Sequence, residues 1–341
     1  RIHALKAIAA GELELDATVA SHFDSCLGCF ACVTACPSGV RYDQLLEATR
    51  PQLNAPELRS SGQTLLRRAL FALLPYPQRL RAVLQALRGY ARSPLQALVR
   101  RSGLLQLGGG SLAAMEQLLP ELPEEAFHDS FPVVTPALGA RRYRVALVLG
   151  CVQRVFDPAV NAAAVRVLAA NGIEVVIPPA QGCCGAVTHH QGETAQTQQL
   201  AGELIDSLES VLGQGKPAGP EPLDAVLVAA SGCGHTMKAY GTILASQPAW
   251  AKRGSAFANQ VFDIQEFLAQ VGLSKSFQAG LQPLAHPDGN PASAEKPLKL
   301  SYHDACHMLH GQGIRDQPRA LLAAIPHIQL REAMEAGVCC G

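Results

Sequence analysis

Cys26-Leu27-Gly28-Cys29-Phe30-Ala31-Cys32-Val33-Thr34-Ala35-Cys36-Pro37 spaces four cysteines as C-x2-C-x2-C-x3-C and closes on proline. A tight loop that brings a thiolate round every third residue turns three sulfurs toward one centre, the arrangement that holds a [4Fe–4S] cluster. The fourth cysteine, one residue further along, points away and serves a neighbouring cluster in two-cluster proteins. A single C-x2-C would say little, because redox dithiols and zinc sites share it. The whole run reads as a cluster site, with zinc or structural thiols as the alternative. Cys26, Cys29, Cys32 and Cys36 are therefore the expected ligands, Cys36 for a neighbouring cluster, and the chain is expected to move electrons.

Eleven cysteines in 341 residues could instead suggest a disulfide scaffold. Their odd number, their grouping in motifs and the adjacent pairs Cys183-Cys184 and Cys339-Cys340 argue against it, since neighbours in sequence bridge only with strain. A reducing cytoplasm is the expected location. The net charge is zero and 16 % of residues are charged, which excludes nucleic-acid binding by bulk electrostatics. There is no signal peptide and no apolar run of about 18 residues, so no membrane span is expected. The start at Arg1 and the stop inside Cys339-Cys340-Gly341 read as a fragment of a longer chain.

The chain divides into four parts. Residues 1–55 are expected to be a helical cluster domain, with helices over 1–11 and 42–49 flanking the loop. Residues 56–142 form a helical, Arg-rich connector and a linker rich in proline and acids. Leu65, Leu66, Ala69, Leu70 and Leu73 recur at helical spacing, as do Leu80, Val83, Leu84 and Leu87. Nine arginines from Arg59 to Arg101 accompany one acid, Glu57, in 57–101. A basic amphipathic helix can lie on the inner face of an anionic membrane. The reading preferred is a connector packed on its own core, its arginines solvated.

From Arg144 the pattern becomes α/β. Apolar runs at 145–149, 173–177, 225–230 and 298–302 read as buried parallel strands. Asp157-Pro158 starts a helix and Asn171-Gly172 ends it. Cys151, Cys233 and Cys306 each follow a strand, where functional residues of such sheets gather. Strand, cysteine, helix, strand and Cys-Cys-Gly occur in 143–278 and recur, cut short, in 298–341. The repeat is expected to return both thiol groups to one edge of the sheet, with Gly185 and Gly341 making the tight turns. The stretches 213–222 and 279–297 read as surface loops, and Gly108-Gly109-Gly110 as another.

These motifs resemble the cysteine-rich CCG family, which includes the cysteine-rich component of heterodisulfide reductase and the iron–sulfur subunits of flavin dehydrogenases. Cys36-Pro37-Ser38-Gly39-Val40, Gly150-Cys151-Val152-Gln153, Gln181-Gly182-Cys183-Cys184-Gly185, Ser231-Gly232-Cys233-Gly234 and His303-Asp304-Ala305-Cys306-His307 are similar to the iron–sulfur subunits of bacterial glycolate oxidases. The resemblance implies a ferredoxin-like [4Fe–4S] domain followed by an α/β CCG domain of two pseudo-repeated strand–helix–strand units. It implies a further cysteine run upstream and a last cysteine downstream. It also implies FAD on partner dehydrogenase subunits, oxidation of a 2-hydroxy acid there, and a quinone-type acceptor. Lactate and glycerol-3-phosphate dehydrogenases use related subunits.

Cys151, Cys183, Cys184 and Cys233 are the positions expected to hold a second cluster. Cys233 is followed by Gly234, His235 and Thr236 rather than by a second cysteine, which speaks against the non-cubane cluster and disulfide reduction of heterodisulfide reductase. Cys306, Cys339 and Cys340 are expected to bind a cluster or zinc, with His303 and His307 as nitrogen donors. A third reading makes the CCG half a zinc-stabilised docking module. His189, His190, His235 and His310 lie near the motifs and are given no acid–base role. Asp304 is expected to orient His303 or His307, or to cap a helix. No dinucleotide fingerprint follows a strand, so no flavin or nicotinamide site is expected on this chain.

Overall fold

A computed structural model describes residues 1–103, 110–117, 123–212 and 221–338. Four short helices, Ile2–Ala9, Ala17–Asp24, Ala31–Thr34 and Tyr42–Thr49, wrap the cysteine run. Asp16 starts the second by accepting from the Val19 amide at 2.8 Å. Their small core is Ala20, Phe23, Phe30, Tyr42, Leu46 and Leu53. Phe30 sits in it with φ of +61°, a left-handed conformation that a residue with a side chain adopts only when its surroundings enforce it.

The connector is three helices, Ser61–Leu73, Pro77–Ala91 and Pro94–Ser102. Ser60 and Gln63 form a capping box at the start of the first, and Pro77 takes the first position of the second, where its missing N–H goes unneeded. Leu80 and Leu84 pack on Val155 of the second half. Arg68, Arg79, Arg92, Arg100 and Arg101 are exposed, as expected, but the other four arginines are not solvated. Arg59 pairs with Asp24, Arg67 with Glu193, Arg81 with Asp129 and Arg88 with Glu124. These guanidiniums are only 9–15 % exposed, so this part of the basic stripe is spent on carboxylates from other segments. Gly110 opens a helix, Gly110–Gln117, rather than lying in a loop, while Gly108 and Gly109 lie outside the described residues.

The second half is built on a five-stranded sheet: β1 (Val134–Thr135), β2 (Tyr143–Val148), β3 (Ile173–Val176), β4 (Ala225–Val228) and β5 (Val261–Asp263). The order is β1-β3-β2-β4-β5, parallel except for β1 at the edge. Alternation sends Ala146, Val148, Val226 and Val228 to one face, against Leu204, Ile205, Tyr240 and Phe257. Val145, Leu147, Ala225 and Leu227 go to the other, against Leu168, Phe267 and Leu268. Both faces are covered, which is why these strands read as unbroken apolar runs. From β2 the chain moves one way to β3 and then crosses to β4 and β5 on the other side. The carboxyl ends of β2 and β4 therefore form the switch point where such sheets keep their sites.

The second repeat does not join this sheet. β6 (Leu298–Tyr302) and β7 (Ile328–Glu332) pair in parallel as a separate two-stranded sheet. Their polar alternation, with every second residue exposed, suits one covered face and not a central position in a buried sheet. Residues 213–220 and Cys339, Cys340 and Gly341 lie outside the described residues. No helix among the described residues is long and apolar enough to cross a membrane.

Candidate metal centre

In the first thiol group, Gly28 and Phe30 both take left-handed backbone conformations, and two reversals in three residues curl the loop between Cys26 and Cys32. Val40 donates its amide to Cys36 Sγ at 3.4 Å, and the Tyr42 hydroxyl reaches Cys26 Sγ at 3.9 Å. Burial and then the charge of Cys26 push the Cys32 thiol up, although Cys32 is exposed. The sulfurs therefore share one field, and the all-thiol donor set fits the soft ligation of an iron–sulfur centre.

The second group is buried at the switch point. Gly150-Cys151 follows β2, Cys183-Cys184 follows β3, and Cys233 lies in the helix Ser231–Lys238 after β4. Gln181 holds the end of β2 by accepting from the Leu149 amide at 2.8 Å and donating to the Leu147 carbonyl at 3.1 Å. Arg154, itself paired to Asp129, donates to the Gln181 carbonyl. The Tyr240 hydroxyl donates to the Cys184 carbonyl at 2.6 Å from beneath.

Cys151 Sγ and Cys183 Sγ are 3.0 Å apart, well beyond the roughly 2.05 Å of a disulfide. A hydrogen bond to Cys183, then burial, pushes the Cys151 thiol well up. Cys183 gains from the Cys151 contact, but its bond to Cys184 and its burial prevail and hold it far above an ordinary thiol. Cys184 gains likewise from Cys183, and its contact with Cys233 and complete burial prevail. A run of contacts thus links Cys151, Cys183, Cys184 and Cys233. Cys151, Cys183 and Cys184, crowded and held protonated, would release their protons to a bound positive centre. These four fit the thiolate ligation of a cluster, although among the described residues no three of them stand close enough to share a single ion.

Histidines form the seam between the groups. The Phe30 ring stacks on His307 at 5.2 Å between centroids and tilts against His235 at the same distance. His307 Nε2 donates to the Gly28 carbonyl at 2.8 Å, which is the purpose its position beside Cys306 serves. His310 Nε2 donates to the Gly337 carbonyl, leaving Nδ1 to accept from Thr34 Oγ1 at 2.7 Å. Arg50 ties both halves, donating to the Cys26 carbonyl at 3.0 Å and to the His190 carbonyl. At Gly192 the halves meet backbone to backbone: a Cβ there would come within 2.5 Å of the Arg50 carbonyl carbon.

Burial and then the charges of His307, His189 and His235 keep His190 neutral. Burial pushes Glu47 up, but the facing imidazoles of His189 and His235 outweigh it and hold the carboxyl low. Neither Glu47, Arg50 nor Phe30 was marked by any motif. The only hint was that histidines follow Cys183-Cys184 and Cys233 and flank Cys306.

Two expectations are corrected. Asp304 orients no histidine; it makes a two-pronged ion pair with Arg319 at 2.8 and 2.9 Å, because the guanidinium is the stronger partner within reach. Among the described residues Cys306, His303 and His307 do not converge as a metal trio, since His307 is turned to Gly28 and His303 is exposed.

A cluster-type thiol run packed against a cysteine-rich α/β half defines an iron–sulfur protein of the CCG class. Residues 145–238 and 300–341 match the family described as "Cysteine-rich domain", and residues 62–119 match "Glycolate oxidase iron-sulfur subunit, linker region". The probable glycolate oxidase iron-sulfur subunit of Bacillus subtilis is 32 % identical over the whole chain, which covers 72 % of that protein. The glycolate oxidase iron-sulfur subunit of Escherichia coli is 29 % identical, again over the whole chain and 72 % of the relative. Lactate utilization protein A of Halalkalibacterium halodurans is 26 % identical over 58 % of this chain and 70 % of its own. No solved structure matches. The chain belongs to the glycolate oxidase iron–sulfur subunit family.

Proposed function

We propose that this chain is the iron–sulfur electron-transfer subunit of a flavin-dependent 2-hydroxy-acid dehydrogenase acting on glycolate. FAD-containing partner subunits would oxidise the acid, and this chain would pass the electrons on toward a quinone-type acceptor. The observation that carries this reading is the seam: one residue, Arg50, holds both the Cys26 carbonyl of the exposed thiol loop and the His190 carbonyl beside the buried thiols.

Cys26, Cys29 and Cys32 are proposed to share a [4Fe–4S] cluster, and Cys36 to serve a neighbouring one. Cys151, Cys183, Cys184 and Cys233 are proposed to hold a further cluster, and Cys306, Cys339 and Cys340 a cluster or zinc. Clusters supply one-electron oxidation and reduction. The residues do the rest: the loop presents Cys32 at the surface, Tyr240 and Gln181 fix the buried thiols, and both sheet faces exclude water from them.

The reading as a disulfide reductase is weaker, because Cys233 is the only thiol on its helix. Membrane contact through the connector draws on fewer charges than the sequence offered, since four of its nine arginines are held, largely covered, in ion pairs.

The experiment is metal, acid-labile sulfide and electron paramagnetic resonance on the intact complex, purified without oxygen and reduced with glycolate. The expected result is more iron and sulfide than the cysteine runs can hold, with signals that appear on glycolate addition. Sulfide confined to the runs, with zinc in the CCG half, would make that half a docking module.

A further inference from the structure

Between the two thiol groups lies a set of ligands that the cysteine chemistry does not use. Glu47, on the helix Tyr42–Thr49, faces His189 and His190 at the end of the helix Ala186–His189, and His235 on the helix Ser231–Lys238. A Glu47 carboxylate oxygen and one ring nitrogen each of His189 and His190 lie within 4.8 Å of one another. Glu47 Oε1 is 3.4 Å from His189 Nε2 and 3.8 Å from His235 Nε2.

Both distances are long for hydrogen bonds. His189 Nε2 and His190 Nε2 are buried and make no hydrogen bond among the described residues. Two ligands each about 2.0–2.2 Å from one tetrahedral ion stand about 3.3–3.6 Å apart, so the Glu47–His189 spacing leaves the room an ion needs.

His235 adds an independent sign. Its Nδ1 is 3.3 Å from the Gly311 carbonyl, which can only accept, so Nδ1 carries the proton. Its Nε2 faces the same Glu47 oxygen at 3.8 Å. Metal-site histidines are commonly anchored in this way, by the far N–H on a backbone carbonyl. A cavity of about 680 Å³ opens on Glu47, His189 and His235, giving water access to the same point.

We infer that Glu47, His189 and His190 bind a mononuclear divalent transition-metal ion at the seam, its remaining position open to the cavity beside His235. Imidazole and carboxylate donors suit zinc and iron(II), in contrast to the thiolates on either side. The carboxylate balances the ion beside the nearby Arg50 guanidinium. Such an ion would clip the helix that follows the cysteine loop to the CCG half.

The test is elemental analysis of the full-length protein in its complex, purified without oxygen, against acid-labile sulfide. Wild type is expected to carry about one equivalent of zinc, or of iron in excess of sulfide, that Glu47→Gln and His190→Gln each lose while sulfide and circular dichroism stay unchanged. Zinc or excess iron in the assay tells which ion is held. Cobalt added to protein stripped of that equivalent should give ligand-field bands without thiolate charge transfer. Metal equal to sulfide in wild type, retention of the extra metal by both variants, or thiolate charge transfer in the cobalt protein would each overturn the site. If the Gln variants fail to fold, the cobalt spectrum of the wild type decides alone, and a thiolate spectrum or no cobalt uptake rejects the proposal.

Discussion

The two thiol groups of this chain differ in nearly every respect except their chemistry. Cys26, Cys29, Cys32 and Cys36 lie on a loop with Cys32 exposed, between helices of four to eight residues and above a core of six side chains. Cys151, Cys183 and Cys184 are buried at the switch point of a five-stranded sheet covered on both faces. One group reaches the surface at Cys32 and the other is kept from water. A relay needs both: an outer contact where electrons enter or leave, and an inner site screened from solvent and stray oxidants.

The comparison breaks most sharply at the buried pair. Serine at both Cys183 and Cys184 is expected to lower glycolate-dependent turnover at least ~100-fold in the complex, with assembly intact, because the two oxygens replace half of a four-thiol set. Size-exclusion chromatography and steady-state kinetics read the two effects separately. Alkylation sharpens the contrast. In metal-free protein, iodoacetamide is expected to modify Cys32 at least ~10-fold faster than Cys151 or Cys184, since buried, raised thiols are inert. Mass spectrometry of quenched time points would show it, and equal rates would mean the buried group is open.

The seam joining the groups comes next. Phe30→Ala is expected to cost about 3 kcal/mol by removing a buried ring from between His307 and its own core. Gly192→Ala is expected to cost about 1–3 kcal/mol, since its Cβ would meet backbone that cannot yield. Denaturant melts of the metal-free protein would measure both.

The smallest effect lies away from both groups. Burial pushes Asp263, at the end of β5, up to about 6. A carboxyl raised on folding stabilises fully below its usual range and loses that contribution as pH rises through about 6. Asp263→Asn keeps the helix cap and should therefore flatten the fall in stability between pH 4 and 7. An unchanged slope would assign that fall to the thiol or histidine regions.

Much of this was legible in the chain. The cysteine spacings marked the thiol positions, and the apolar runs marked β2 to β4, because a parallel sheet buried on both faces leaves no alternation to read. What eluded reading was carried by single residues in unremarkable settings. Glu47 is an ordinary helical glutamate until folding brings it to three histidines from distant segments. Four of the nine arginines escaped the reading as a solvated face because their acids, Asp24, Glu124, Asp129 and Glu193, lie elsewhere in sequence. The separate β6–β7 sheet was hidden by the likeness of its strand–helix–strand order to that of β2 and β3.

Gly192 also sets a length. Where the two halves touch through main chain alone, no rotamer change can open or close the gap, and covalent geometry decides it. Electron tunnelling falls off exponentially with distance, so this one main-chain contact, in a seam otherwise made by Phe30, Arg50 and the histidines, acts as a ruler. Were both thiol groups to carry clusters, that contact would keep the hop between them at one span as partners come and go.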